Sequence, residues 1–518
     1  MNKIKTCTIG ILAVLFLSAT VSTAQHSETL SEKSYRRAAQ ILERGVRALG
    51  GLKRFQAIED ISFKSSAQLS EKGQSLNPEG PLYVRRVDAD GVIDLRGKRN
   101  YRLGRTSFTG GAQFSISVVT TEKSGFTADL GANAVYPFAG PALATNNRTV
   151  QRTFPHLLLQ SAFNRQATLR SLGTESYEGE KQDVITFADS DGSQLTLYFS
   201  VQTGLLTKAE GLADRFLEGI GALETIFADY RSVDDIKIPF RVTTKFAGET
   251  VSDLTYSEVK FNTHPNAALF EMPARAEMGP EVGGASQPIV LTKLATDVYY
   301  VNAIGTGSIF FYSSMFVAFK DYILVIEAPV SDGVSQSVIA RIKETIPGKP
   351  IKYLVPTHYH VDHLGGIRGY IAEGSTIVTT PGNRKLIEDV ASLAHPLNPD
   401  TLSLHPRDLK LETFSEKRVF TDGEHVVELY NLGPSPHADE ILIAYLPQEK
   451  LAFVSDLFPV TYKGRVGPVS PVFIFFNEKI RQMGLQIDTV ASGHGRVGKM
   501  AELQQLLSGS EKQPSSSQ

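Results

Sequence analysis

Four side chains able to bind a metal ion fall within six residues, His358, His360, Asp362 and His363, directly after the apolar run Ile351-Lys352-Tyr353-Leu354-Val355. In extended backbone, residues two apart project to the same side, so His358 and His360 can close on one ion. A turn immediately afterwards lets Asp362 and His363 face a second ion beside it. Gly365 and Gly366 then leave backbone room for a helix to begin close to the site. The competing interpretation, a solvated histidine-rich loop that binds metal adventitiously, does not account for the apolar strand before the cluster and the amphipathic helix after it. Open α/β folds place their sites at that junction, outside the carboxyl ends of strands.

The surrounding rhythm agrees. DYILVIEAP, SQSVIARIKETI, IKYLVPT, LGGIRGYIAEG, STIVTT and GNRKLIEDVASL alternate strand and helix patterns, which predicts a layered α/β domain. The run Thr357 to Gly366, T-H-x-H-x-D-H-x-G-G, resembles the signature of the metallo-β-lactamase superfamily. The resemblance covers roughly Thr292 to Leu507 and implies a four-layer αβ/βα sandwich with three further ligands, each at the end of a strand. His437 in NLGPSPHADE would join His358 and His360 on the first metal, and Asp456 in KLAFVSDLF would bridge the two metals. His494 in TVASGHG would complete the second metal with Asp362 and His363.

By the same resemblance the protein is a metal-dependent hydrolase of a small-molecule substrate. A hydroxide held between two metals would cleave an ester-like bond, a thioester, lactone or phosphodiester, with Asp362 and Asp456 as the catalytic carboxylates. A ligand set of imidazole and carboxylate without thiolate suits two Zn2+ per chain, and iron or manganese also fit it. Two departures from the family pattern bear on this. Ser455 stands where many relatives have glycine, a small-for-small exchange. Glu327 stands where relatives usually carry an aspartate, and it can still orient a ligand histidine. The penicillin-cleaving members have cysteine or serine at the bridging position, so Asp456 argues against a dedicated β-lactamase. His360, where oxygen-reducing diiron members place glutamate, argues against redox chemistry. β-Lactam hydrolysis stays as an alternative, as does a binding protein for a lipid-like ligand whose metal domain is not catalytic.

The other half has a different texture. From Ser31 to Ala57 apolar residues recur at helical spacing, with Gly50-Gly51 as a break. From Ile61 to about Met272, short alternating runs such as ISFKSSAQL, QFSISVVTT, QDVITFAD, SQLTLYFS and SDLTYSEVKF are separated by turn residues. They predict antiparallel strands with one covered face and one wet face. Pro137 to Asn147 is expected to be a loop and Pro155 to Asn164 a short helix. Phe227 to Pro273 resembles the last strands of periplasmic lipoprotein-carrier (LolA-like) half-barrels, which end in a closing F-x-x-P.

Met1 to Ala24 has a positive start (Lys3, Lys5), an apolar run from Ile9 to Leu17 and a small-residue ending, the layout of a cleaved signal peptide. The apolar run is too short to span a bilayer, so no transmembrane segment is expected after its removal, and the product would be periplasmic or secreted. The only cysteine, Cys7, leaves with it, which makes the mature metal site one of histidine and aspartate. Loss of Lys3 and Lys5 takes the formal charge from −2 to −4, which together with the lack of a basic arm argues against a nucleic-acid partner. At 518 residues, two or three domains are expected. The divisions are a signal peptide over 1–24, a helical segment over 25–60 and a mainly antiparallel β domain over 61–273. A linker over 274–291, the α/β domain over 292–508 and a disordered tail over 509–518 follow. Oligomeric state is open.

Of the remaining histidines, His395, His405 and His425 are expected on the surface or in loops, and His26, His156 and His264 receive no role. Val472 to Phe476 is expected in the core, with the wall of an apolar pocket as the alternative, and Lys463 and Arg465 in a solvated loop rather than gripping an anion.

Overall fold

The computed structural model describes residues 28–510 apart from 109–110, 112, 132, 279–288, 304–311 and 461–468. The expected signal peptide, His26, Lys463 and Arg465 therefore lie outside the described residues. Among the described residues no helix is long and apolar enough to cross a membrane.

Thr29 opens the first helix, α1 (Leu30–Ala48), with a capping box to Glu32. Helix α1 buries one stripe, Ala38, Ile41, Leu42 and Val46, against Ile185, Phe187, Leu197 and Phe199 of the sheet beneath. The short α2 (Leu52–Gln56) leads into β1 (Asp60–Glu71), which turns back through Lys72–Gln74 into β2 (Tyr83–Asp94). These are the central strands of a 14-stranded sheet, all of whose neighbours are antiparallel except one. The mainly antiparallel expectation for this half holds, and Pro155–Asn164 is a helix as expected.

Two segments differ from expectation. Pro137 to Asn147 is not a loop: it continues the strand Ala134–Phe138 and then forms the helix Gly140–Thr153. Pro141 stands in the first helical turn, where its missing N–H is no loss and its fixed φ favours the helix, so proline starts this element rather than breaking it. The expected linker is also structured at both ends. Glu277–Met278 pairs in parallel with Ala134–Val135, and Val290 already belongs to the first strand of the next sheet. At the C-terminus the last helix reaches Ser510.

The second half is a mixed α/β sandwich. A seven-stranded sheet runs from Val290–Ala295 to Lys410–Thr413, antiparallel at first and parallel from Ile323–Ile326 onward. A six-stranded sheet runs from Lys417–Thr421 to Val497–Lys499. The two sheets face each other through Tyr300, Met315, Leu324, Val355, Leu429, Leu442 and Phe453. The outer face of the first is covered by the helices Asp332–Thr345, Ile367–Glu373 and Arg384–Ser392. Pro471–Met483 and Met500–Ser510 cover the second. Coverage on both faces explains why strands such as Ile323–Ile326 are apolar throughout rather than alternating. The two halves also share a core, since Leu217 of the strand-rich half is buried among Val361, Tyr359 and Leu364.

Candidate metal centre

The strand Ile351–Val355 ends in the loop that carries His358 and His360, and the single turn Val361–Leu364 carries Asp362 and His363. The chain then passes the start of the helix Asp332–Thr345 so closely that a Cβ on Gly366 would meet Ser335 Oγ at 1.9 Å and the carbonyl of its N-cap Ser331 at 2.7 Å. No other residue fits at Gly366 without moving that helix start. Three more side chains arrive from the second sheet. His437 precedes the strand Leu442–Leu446, Asp456 follows Leu451–Phe453, and His494 follows Thr489–Ala491.

All seven expected side chains meet, in two groups that share Asp456. His358, His360, His437 and Asp456 form one, Asp362, His363, His494 and Asp456 the other. The carboxylate of Asp456 is divided between them. Its Oδ2 lies 3.1 Å from His437 Nε2, while Oδ1 lies 2.9 Å from His363 Nε2 and 3.2 Å from His494 Nε2. His358 Nε2 and His437 Nε2 are 3.2 Å apart. His360 Nδ1 is buried without a hydrogen-bond partner. Buried polar atoms are rarely left so. Lone-pair atoms of both residue types turned on common points are what a cation of borderline softness requires, so the residues fit a metal ion.

Neighbouring groups set which nitrogen is bare. Glu327, fully buried, lies with Oε2 3.2 Å from His363 Nδ1. The backbone at Glu327 has φ 77. Its Oε1 accepts from Thr357 Oγ1 and, at 3.2 Å, from Ser455 Oγ. Thr357 Oγ1 is also 3.0 Å from His358 Nδ1. Ser455 is more than a small filler: at φ 50 it occupies the left-handed region that explains glycine in relatives, and its hydroxyl joins Thr357 and Glu327. In the sequence Thr357 was only the first position of the motif and Ser455 only a small-for-small exchange; their shared hydrogen bonds to Glu327 were not foreseen.

Charges inside the cluster are uneven. Burial, with His363, His360 and His437 nearby, holds His358 well below the usual imidazole value. Burial followed by His437 brings His360 down to about 3. Burial opposes protonation of His494 too, but Asp456 and Asp362 outweigh it and raise it to about 9. His358 and His360 are thus neutral, the form in which imidazole ligates.

The other histidines separate clearly. His395 and His425 lie in loops, as expected, but are buried rather than on the surface, His395 because it pairs with Asp214 of the strand-rich half. His405 is exposed. His156 lies in the core of the first half against Phe55, where burial pushes it down to about 3. Val472, Phe473 and Phe476 are core residues of a helix, and Ile474 faces outward.

Residues 332–494 match the family model described as Metallo-beta-lactamase superfamily, and this part of the chain belongs to that superfamily. Similar solved structures include a metallo-beta-lactamase from Pontibacter korlensis, 22% identical with a TM-score of 0.34, covering 43% of this chain and 100% of that one. Another is the DIM-1 metallo-beta-lactamase exposed to ceftazidime, 16% identical with a TM-score of 0.33, covering 43% of this chain and 97% of that one. No curated protein matches the chain. The family match does not extend to the strand-rich half, where the lipoprotein-carrier resemblance was noted.

Proposed function

We propose that the protein is an exported, zinc-dependent hydrolase that cleaves an ester-like bond, a thioester, lactone or phosphodiester, in a small molecule. The observation that carries this is the division of Asp456 between the two groups, one carboxylate oxygen for each. His358, His360 and His437 would hold one ion, Asp362, His363 and His494 the other, with Asp456 shared. Bound there, zinc would supply Lewis acidity, lowering the pKa of water from about 15.7 to about 7 and polarising the bond under attack. The chain's own residues do the rest. Asp362 is the most exposed of the seven side chains, at 21%, and so faces the side from which a substrate arrives. Its Oδ1 accepts from Gln74 Nε2, and its Oδ2 lies 3.3 Å from His494 Nε2 on the cluster side, where it would orient water or accept its proton. Export rests on the signal-like Met1 to Ala24 segment.

The test is metal analysis of the purified chain and a panel of thioester, lactone, phosphodiester and β-lactam substrates, with and without chelator. Activity lost to chelator, restored by Zn2+ and abolished in Asp456→Asn is expected. Turnover that ignores the chelator, or that survives in metal-loaded Asp456→Asn, would sink the mechanism.

A further inference from the structure

Each ligand histidine needs a partner that fixes which nitrogen carries the proton. For His358 and His363 the partners, Thr357 and Glu327, come from the metal domain itself. For His360 the partner comes from the other half of the chain. His360 Nε2 lies 2.8 Å from the carbonyl oxygen of Ser75, 285 residues away, in the loop between β1 and β2. A carbonyl only accepts, so Nε2 must carry the proton, and Nδ1 is left as the bare nitrogen. Nδ1 is the buried atom without a hydrogen-bond partner. The preceding residue of the same loop, Gln74, donates from Nε2 to Asp362 Oδ1 at 2.8 Å.

The loop is seated, not merely near. Tyr359 OH donates to the carbonyls of Ser75 and Asn77. Asn77 Nδ2 donates to Asp439 Oδ2 at 2.9 Å, and the Asp439 amide donates to the Leu76 carbonyl at 2.7 Å. Thus the loop touches Tyr359 beside His358 and Asp439 two residues after His437, as well as His360 and Asp362. Gly73 permits this approach: a Cβ there would lie 2.0 Å from Val361 Cγ2.

We propose that residues 72–77 of the strand-rich half are part of the metal centre's outer sphere, with Ser75 and Gln74 as positioning residues for His360 and Asp362. The hydrolase half is then incomplete without the half before it, and the two act as one unit rather than as a binding module joined to an enzyme. This presupposes that the cluster binds metal, as proposed above.

The experiment titrates the full chain and three full-chain variants with Co2+, reading the ligand-field absorption and the affinity by chelator competition. Gly73→Ala should lift the loop from Val361, and Gln74→Leu should remove the side-chain amide that donates to Asp362. Both should bind Co2+ about 10- to 100-fold more weakly with altered bands, the effect expected when an outer-sphere partner is lost. Adding Val361→Ala to Gly73→Ala makes room for the new methyl group. That double variant should regain affinity to within about threefold of wild type and recover the wild-type bands, which general destabilisation would not do. Circular dichroism identifies a variant that fails to fold, and the remaining variant then decides. Unchanged affinity and bands in the folded single variants, with wild type binding Co2+, overturn the proposal while leaving the metal site standing. A wild-type chain that takes up no Co2+ overturns both.

Discussion

Nδ1 of His363 lies 3.2 Å from Oε2 of Glu327, a carboxylate with no exposed surface. The backbone of Glu327 is held at φ 77, a conformation that costs a non-glycine residue about 1–3 kcal/mol and persists only where the surroundings over-determine it. Here Thr357 and Ser455 fix the other carboxylate oxygen. The arrangement directs His363 Nε2 at the cluster and raises its basicity. Glu327→Gln keeps the shape but removes the charge. It should lower metal affinity about 10- to 100-fold with the fold intact, read by chelator competition and circular dichroism. Equal affinity in the variant would show that Glu327 does not tune the site.

Ser455 pits backbone strain against a hydrogen bond. Its φ of 50 lies in the left-handed region, while its buried hydroxyl is 2.7 Å from Thr357 Oγ1. Ser455→Ala and Ser455→Gly both lose the hydroxyl, at a cost of about 1–3 kcal/mol. Alanine keeps the strain of roughly 1–2 kcal/mol, and glycine sheds it but returns about half through its freer unfolded chain. Urea unfolding should therefore rank wild type above Ser455→Gly, and Ser455→Gly above Ser455→Ala by about 0.5–1 kcal/mol. The reverse order of the two variants would mean that the left-handed backbone stores no strain.

Which seven side chains meet was legible because each lies at the end of a strand pattern, and strand ends in a layered α/β fold converge on one edge. What surrounds them was legible only in part. Glu327 stands directly after an apolar strand and was found, whereas Ser75 and Gln74 lie in an ordinary polar turn whose partners are 285 and 288 residues distant. Local pattern carries no information about such pairs. The burial of His395 was hidden for the same reason, its partner Asp214 lying 181 residues away. At Pro141 the signal was present but ambiguous, since proline marks helix starts as well as loops.

Asp214 Oδ1 and His395 Nδ1, 2.5 Å apart, tie a strand of the first half to the loop after the helix Arg384–Ser392 of the second. Both side chains are nearly buried, at 1% and 8% exposure, so solvent screens the pair little. A double-mutant cycle with Asp214→Ala and His395→Ala should give a coupling energy of about 0.5–3 kcal/mol in chemical unfolding. Additive effects of the two substitutions would show that the pair contributes nothing to holding the halves together.

Arg368 follows the metal loop by five residues and is 3% exposed. Its guanidinium donates to Asp400, to the carbonyls of Val390 and Ala391 and to Ser403 Oγ, so one side chain joins three segments of the helical layer. Asp400 also caps the turn Thr401–Leu404 by accepting from the Ser403 amide at 2.8 Å. Burial would raise the Asp400 carboxyl, but Arg368 and Ser403 outweigh it and hold it below the usual carboxylate range. Removing the cation takes the ion pair from a half-buried carboxylate and the donor from the Val390 and Ala391 carbonyls, so Arg368→Met should destabilise the chain by about 1–3 kcal/mol. A carboxylate whose folded pKa is depressed contributes stability that is complete above its unfolded value, about 3.9, and is lost as pH falls through the lower folded value. Asp400→Asn removes that contribution at every pH. The melting temperature of wild type should accordingly exceed that of Asp400→Asn at neutral pH, and the gap should narrow as the pH drops below about 4. A gap that stays constant across this range would show that the Asp400 charge does not stabilise the fold.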